Sequence, residues 1–600
     1  MMFINSLTVF FAIIYFVAAA DKIWWEKAGF YQIYPRSFKD SNGDGIGDLK
    51  GIIEKLPYLK EIGITAYWLS PIYKSPMADF GYDISDFRDI QPEYGTMADF
   101  EALVKRSKEL GLRVILDFVP NHSSDEHEWF KKSVDGIPPY KDYYVWNDGK
   151  VNPDGGRRLP PSNWLAAFRG SAWEWNEKRN QYYLHQFHKK QPDLDYRNPA
   201  VVEEMKNVLR FWLDKGIDGF RIDAITWLFE IPKEADGSYK DEPLSGFTED
   251  KDDPAYLNHI YTQDRDETIE MSYQWREVLK DYQKEKGGDE RVLMTESWSD
   301  LKVVKKFFGD GKDRVGAQMP FNFQIILNIN EKSTAADFKR VIDSFIEITP
   351  KGQSANWVLG NHDKNRVANR IGMNRIDLLA MIELSLPGAS VTYNGEEIGM
   401  TDVWISWEDS RDPQACNSNP QIYDKISRDP ARTPFQWDDS TSAGFSTNAT
   451  TWLPVAKNYK EVNVKVEEAA AKSHLKIFKQ LIALRQQNTF IYGTLTTHAS
   501  NNVLVLVRQL AGEPTYITLA NMANAEVTID ATTFEKNLKS ELLYEVVDLN
   551  SAHQRGHSID SKKVVLKANE AFILVSGARA IFSSFLILVI NLVVACYKCV

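Results

Sequence analysis

Two hydrophobic rhythms alternate along most of this chain. Short continuous apolar runs, rich in β-branched and aromatic residues, fall at Phe30 to Tyr34, Ala66 to Ile72, Arg113 to Val119, Gly219 to Ala224, Val292 to Glu296, Gln318 to Phe323, Asn356 to Asn361 and Ser390 to Tyr393. Between them apolar residues recur every three or four positions, as in Leu49, Ile52, Ile53, Leu56 and Leu59, in Val201, Met205, Val208 and Trp212, and in Phe338, Val341, Ile342 and Phe345. The first rhythm predicts buried strands and the second amphipathic helices. Eight such β-then-α units predict an α/β fold, a closed parallel (β/α)8 barrel of the TIM type, with its chemistry at the C-terminal ends of the strands.

The alternation is interrupted once and then ends. Residues 122–195 are rich in Trp, Tyr, Pro and Gly and too long for an ordinary loop, so they read as a subdomain inserted after the third strand. A last helix at His474 to Arg485 is followed by short alternating runs at Val503 to Val507, Thr515 to Leu519, Glu526 to Ile529, Val564 to Leu566 and Ala571 to Val575, which predict a compact C-terminal antiparallel β domain. The expected division is therefore a barrel over 21–121 and 196–485, an insert over 122–195 and a β domain over 486–577.

Both ends carry apolar signals. Leu7 to Val17 followed by Ala18-Ala19-Ala20 fits a signal peptide over residues 1–20, although a basic start is missing. Ile581 to Ala595, in the tail 578–600, is short against the roughly twenty residues of a membrane span and suits the removable tail of a GPI signal; an anchor helix is the alternative. Export to the extracellular face of the cell membrane is the expectation. A sequon at Asn448 could then carry glycan, whereas one at Asn121 lies at a strand end without access. The formal charge of −12, with no basic run, excludes nucleic acid as a partner.

Charged groups at the end of an apolar strand are costly unless they face a solvated rim. Here the third strand ends at Asp117 and runs on to Asn121-His122, the fourth at Arg221-Ile-Asp223-Ala224, the fifth at Glu296, and the seventh at Asn361-His362-Asp363, all on one rim. Carboxylates gathered this way point to glycoside chemistry, in which one attacks and another protonates the leaving oxygen. Arg221, two residues from Asp223 and so on the same strand face, would favour its ionised form and make Asp223 the nucleophile; Glu296, with no cation near it in sequence, is the better proton donor; Asp363 could hold sugar hydroxyls and favour positive charge growing at the ring carbon. Separately, Asp40, Asn42, Asp44 and Asp48, with the Ile46 carbonyl, put oxygens on alternate residues of a Gly-rich loop. Neither the EF-hand pattern nor a P-loop fits, and local chemistry leaves a cation site and a polar turn equally open.

Taken together, Asp117 to His122, Gly219 to Ala224, Glu296 and Asn361 to Asp363 resemble the four signature regions of the α-amylase superfamily, glycoside hydrolase family 13. Gln191-Pro-Asp-Leu, Gly395-Glu-Glu-Ile-Gly-Met and Ala431-Arg-Thr-Pro-Phe-Gln-Trp-Asp resemble its oligo-glucosidase and α-glucosidase branch, most like insect membrane-bound maltases. The resemblance implies retaining, exo-acting hydrolysis of α-glucosides, with Asp223 as nucleophile, Glu296 as acid and base, and Asp363 as the stabilising third acid. It further implies that His122, Arg221 and His362 grip the glucosyl ring, that Tyr82 stacks beneath it, that Asp79 and Arg432 pair around its far hydroxyl, and that Phe168, Phe187 and Gln191 line the pocket. It implies a structural calcium on Asp40, Asn42, Asp44, Ile46 and Asp48, and no organic cofactor. The small Ala224 after the nucleophile implies α-1,4 substrates such as maltose, and sucrose, over α-1,6 ones. Thr226-Trp227 and Asp195 depart from the branch's usual residues. Glucosyl transfer or sugar isomerisation, a membrane-anchored binding protein and use as a docking receptor are the rival implications.

Overall fold

The computed structural model describes residues 22–577; the signal-peptide and tail readings fall outside the described residues. Eight parallel strands form the central sheet: β1 (Gly29–Ile33), β2 (Ala66–Leu69), β3 (Arg113–Phe118), β4 (Gly219–Ile222), β5 (Val292–Thr295), β6 (Met319–Pro320), β7 (Asn356–Val358) and β8 (Ala389–Tyr393). Hydrogen bonding follows the order β6-β5-β4-β3-β2-β1-β8-β7, so the sheet curls round until its two ends meet. Each strand is fully buried apart from the half-buried first residue of β3, which is why the runs are continuously apolar rather than alternating.

Strand periodicity sorts the side chains into two cores. Tyr31, Tyr67, Leu69, Val114, Leu116, Phe220, Ile222, Leu293 and Trp357 point outward to the helices. Phe30, Trp68, Ile115, Val292, Met294 and Val358 point inward and fill the barrel. Continuing the inward set by two residues gives Gln32, Asp117, Arg221 and Glu296. The polar rim is thus the inner face of the same strands one layer above the apolar plug, and the Arg221 guanidinium rests 4.7 Å from the Trp68 ring centroid.

The sixth strand is shorter than its apolar run. Pro320 has no N–H to give a ladder, and only Met319 and Pro320 pair with β5. No backbone ladder joins β6 to β7. Buried Asn356 closes the gap instead: its Nδ2 donates to the Pro320 carbonyl at 2.7 Å and its Oδ1 accepts from the Asn322 N–H at 2.9 Å.

Helices Leu49–Glu61, Met97–Leu110, Pro199–Asp214 and Ala335–Ile348 pack outside the barrel, with Asp48, Thr96, Asn198 and Thr334 as their N-caps. The excursion after β3 contains a three-stranded antiparallel sheet of Trp146–Asn147, Gln181–Leu184 and Trp173–Asn176. Trp164 and Trp173 of this insert pack against Ile231 and Tyr239 of the long loop after β4, so two excursions share one small core above the barrel. Beyond the helix His474–Arg485, a six-stranded and a two-stranded antiparallel sheet enclose a separate apolar core. Three of its strands, Thr494–Ser500, Glu541–Val547 and Ser558–Asp560, are absent from the sequence reading because they are partly exposed and lack a continuous apolar run.

Because Asn356 alone satisfies two buried backbone groups at the seam, Asn356→Ala should destabilise the fold by about 2–5 kcal/mol. Urea denaturation followed by fluorescence measures this; an unchanged midpoint would show that the seam closes without it.

Candidate active site

The strands stop one residue before two of the acids, so Asp223 and Glu296 project from the rim immediately beyond β4 and β5. Between them stands Arg221, 1% exposed. Its Nη1 donates to Asp223 Oδ1 at 2.5 Å and to both Asp117 oxygens at 3.0 and 3.1 Å. Its Nη2 lies 2.9 Å from Glu296 Oε2. The cation expected to serve Asp223 alone is therefore shared by three carboxyls. Glu296 has a cationic neighbour in space that the sequence does not reveal, because β4 and β5 are adjacent strands.

Sharing one positive charge sets the electrostatics. Burial pushes the Asp117 carboxyl up to about 7 despite Arg221. Burial also raises Asp223 well above the usual carboxylate range, with Glu296 and Asp117 adding to the rise and Arg221 opposing it. The expectation that Arg221 would dominate at Asp223 does not hold, since one guanidinium cannot neutralise three acids. Asp363 is the opposite case. Burial alone would raise it, yet it is held far below the ordinary range. Arg432 Nη2 lies 3.0 Å from its Oδ1 and Arg428 Nη1 3.4 Å. His362 stays neutral, pushed down by burial and by the nearby arginines, so the charge that holds Asp363 down is that of the two guanidiniums.

The pocket wall corrects one expected pair. Asp79 Oδ1 bonds Arg428 Nη2 at 2.8 Å, not Arg432. Arg432 is fully buried, turned towards Asp363 and donating through Nε to the His362 carbonyl at 2.8 Å. The physical reason is the short 3₁₀ turn Asp429–Ala431, which has Arg428 and Arg432 as its two caps and sends them to different partners. Asp412, which sequence reasoning missed, holds Arg428 through Nη2 at 2.6 Å and Nε at 3.0 Å. Nothing in the local sequence distinguishes Arg428 from Arg432.

Arg221, His362, Gln191 and Arg432 stand one layer behind the cavity and act on it through the residues they bond. Tyr82 stacks on His362 with ring centroids 5.5 Å apart and planes 8° apart, and its hydroxyl lies 2.7 Å from His362 Nε2 and donates to Asp117 Oδ2 at 3.1 Å. Gln191 Nε2 donates to Asp79 at 3.1 Å and lies 3.1 Å from His122 Nε2. Asp79, Tyr82, His122, Asp223, Glu296 and Asp363 face a cavity of about 320 Å³. Phe168 and Phe187 come to it from the insert, Trp227 and Gln263 from the loop after β4, Trp298 from beyond β5, and Gln414 and Arg428 from the excursion after β8. Trp298 and Gln414 are further lining residues that no sequence signal marked.

The loop at 40–48 lies apart from this cavity. Consecutive Asx turns wind it: Asp40 Oδ1 accepts from the Asn42 and Gly43 N–H groups at 3.0 and 2.7 Å, Asn42 Oδ1 from Asp44 at 2.9 Å, and Asp44 Oδ1 from Ile46 at 2.8 Å. Asp48 caps the following helix and also binds Ser41. Among the described residues no three Asp, Glu, His or Cys side chains form a ready-made metal cluster. The donor set of this loop, alternating carboxylates, an amide and a carbonyl, is still one of hard-cation type.

Comparison with known proteins agrees with this architecture. The α-amylase catalytic domain model matches residues 32–493. Maltase A1 of Drosophila melanogaster is 52% identical over 577 residues, covering 95% of this chain and 99% of that protein. A salivary α-glucosidase of Anopheles gambiae is 55% identical over 498 residues, 83% of each chain. Among solved structures, the trehalulose synthase MutB from Pseudomonas mesoacidophila superposes with a TM-score of 0.79 at 33% identity, covering 93% of this chain and all of that one. With the barrel, its rim of acids and these relatives in agreement, the chain belongs to the α-amylase family of glycoside hydrolases, within its α-glucosidase branch.

Proposed function

We infer that this protein is a retaining α-glucosidase that removes single glucose units from the non-reducing ends of maltose, short malto-oligosaccharides and sucrose. The observation that carries the reading is the seating of Asp223 and Glu296 on two nitrogens of one guanidinium. Two carboxyls held on one cation suit the short separation that retention requires. Asp223 attacks the anomeric carbon while Glu296 gives its proton to the departing glycosidic oxygen, leaving a glucosyl ester on Asp223. Glu296, now ionised, takes a proton from water, which displaces Asp223 and restores the original configuration. Asp363, ionised throughout, stabilises positive charge at the ring carbon. Asp79 and Arg428 pair at the cavity wall and are suited to the far hydroxyls, which favours release of one sugar at a time.

Linkage preference is assigned to Ala224. It takes a left-handed backbone, φ 46°, and its N–H donates to Glu296 Oε2 at 2.9 Å. A β-branched residue is disfavoured in that conformation, and the small methyl leaves room for an α-1,4-linked partner sugar. Wild-type protein should cleave maltose and sucrose faster than isomaltose and release α-glucose first, as read by NMR during early turnover. Glu296→Gln should lower kcat on maltose about 10²- to 10⁴-fold. First release of the β-anomer, or a Glu296→Gln variant as active as wild type, contradicts the reading. Accumulation of glucosyl-transfer products in place of free glucose would favour a transferase.

The loop at 40–48 is proposed to hold a structural calcium ion, with Asp40, Asn42, Asp44, Asp48 and the Ile46 carbonyl as donors. The alternate-residue oxygens support this, as does the locking of the loop to the segment that follows the arginines: Ser446 Oγ donates to Asp40 Oδ2 at 2.5 Å, and the Trp452 N–H donates to the Gly45 carbonyl at 3.1 Å. Calcium at about a hundred times its Kd should add about 2.7 kcal/mol of stability, seen as a higher Tm that a chelator reverses. A melting curve indifferent to chelator, with no calcium by elemental analysis, contradicts the site.

Export and membrane anchoring are proposed from the apolar runs Leu7 to Val17 and Ile581 to Ala595. Phosphatidylinositol-specific phospholipase should release the protein from cell membranes; retention after treatment would favour an anchor helix.

A further inference from the structure

We propose that Trp298 is a positioning residue for the proton-transfer step, and that Glu296 Oε1 is the oxygen that carries the transferable proton. The inference rests on the α-glucosidase reading above.

Glu296 is bonded asymmetrically. Its Oε2 accepts from the Ala224 N–H at 2.9 Å and lies 2.9 Å from Arg221 Nη2. Its Oε1 accepts from a single donor, the Trp298 indole N–H, at 3.0 Å. A proton on Oε2 would point into two N–H groups, one of them cationic, so the neutral acid carries its proton on Oε1. A hydroxyl oxygen can accept one hydrogen bond while donating its own hydrogen. The indole N–H therefore leaves the Oε1 proton free and restricts the direction in which it is presented.

The ring that carries this N–H is held firmly for a pocket-wall residue. Trp298 stacks on Phe323 with ring centroids 4.1 Å apart and planes 21° apart. Phe323 is 2% exposed and belongs to the apolar plug inside the barrel. Lys364 Nζ lies 5.3 Å from the Trp298 ring centroid. The donor is thus tied to the barrel interior through one aromatic contact, and its aim does not depend on a mobile loop. Orientation of a catalytic group at this level is where rate is gained or lost. Trp298 touches the acid and lines the cavity, but it takes no proton itself.

Trp298→Phe keeps the stacking ring and removes only the N–H. Loss of a hydrogen bond to a charged group is worth about 1.5–3 kcal/mol, so kcat/KM for maltose should fall about 10- to 100-fold. With α-glucosyl fluoride, whose leaving group needs no proton, kcat/KM should stay within about twofold of wild type by the same reasoning. The alkaline limb of the maltose pH profile should move to higher pH, because the ionised acid loses a donor and holds its proton longer. Arg221 from β4 and Asp117 from β3 act on Glu296 from behind the cavity, Asp223 beyond β4 and Asp363 and Lys364 beyond β7 line the cavity with it, and all are unchanged in this variant. Phe323→Leu, which removes the stacking partner but keeps the N–H, should give a smaller loss that is again confined to maltose. Equal losses on both substrates, or an unshifted alkaline limb, would overturn the inference while leaving the α-glucosidase reading intact. A wild-type enzyme inert towards maltose would overturn both.

Discussion

The Arg221 guanidinium is the interaction on which the site depends. It is buried at the top of the barrel's apolar plug and touches Asp117, Asp223 and Glu296 at once. One positive charge cannot match three negative ones in a dry setting, so Asp117 and Asp223 are held above the usual carboxylate range. A few side chains away, Arg428 and Arg432 both reach Asp363 and keep it ionised, although Arg428 is shared with Asp79 and Asp412. The pocket floor therefore contains two carboxyl environments of opposite bias, built from arginines in different proportion.

The barrel makes this arrangement affordable in structural terms. Inward positions on neighbouring strands are brought together by the ladder, so three charged residues from β3, β4 and the end of β5 meet without any loop having to order them. The excursions then do a different task. The insert after β3, the long loop after β4 and the segment after β8 each send residues over the rim, and their aromatic and polar groups narrow it to a cavity suited to a sugar. Chemistry is carried on strand ends and enclosure on loops, the usual division in this architecture.

How much of this was legible in the sequence follows the same division. Strand ends could be read because burial makes their runs continuously apolar and because a charge at the end of such a run is conspicuous. Asp117, Asp223, Glu296 and Asp363 were legible for that reason. Arg428 was not, because its place opposite Asp79 depends on a single 3₁₀ turn and on Asp412, sixteen residues upstream. The sharing of Arg221 with Glu296 depends on strand adjacency, which no local pattern encodes. In sequence Trp298 is indistinguishable from any aromatic residue after a strand, because its place is set by Phe323, which is remote in the chain and stacks on it. The apolar run of the sixth strand overstates its length, since apolar character continues past Pro320 although hydrogen bonding does not.

The central claim is that Asp223 becomes covalently glucosylated while Glu296 handles the proton. Mass spectrometry of Glu296→Gln protein mixed with α-glucosyl fluoride tests it directly, because the first step then proceeds and the second stalls. Protein heavier by one glucosyl unit is expected, with the added mass on the peptide that contains Asp223. Unmodified protein that still turns over the fluoride, or an adduct on any other residue, would contradict it.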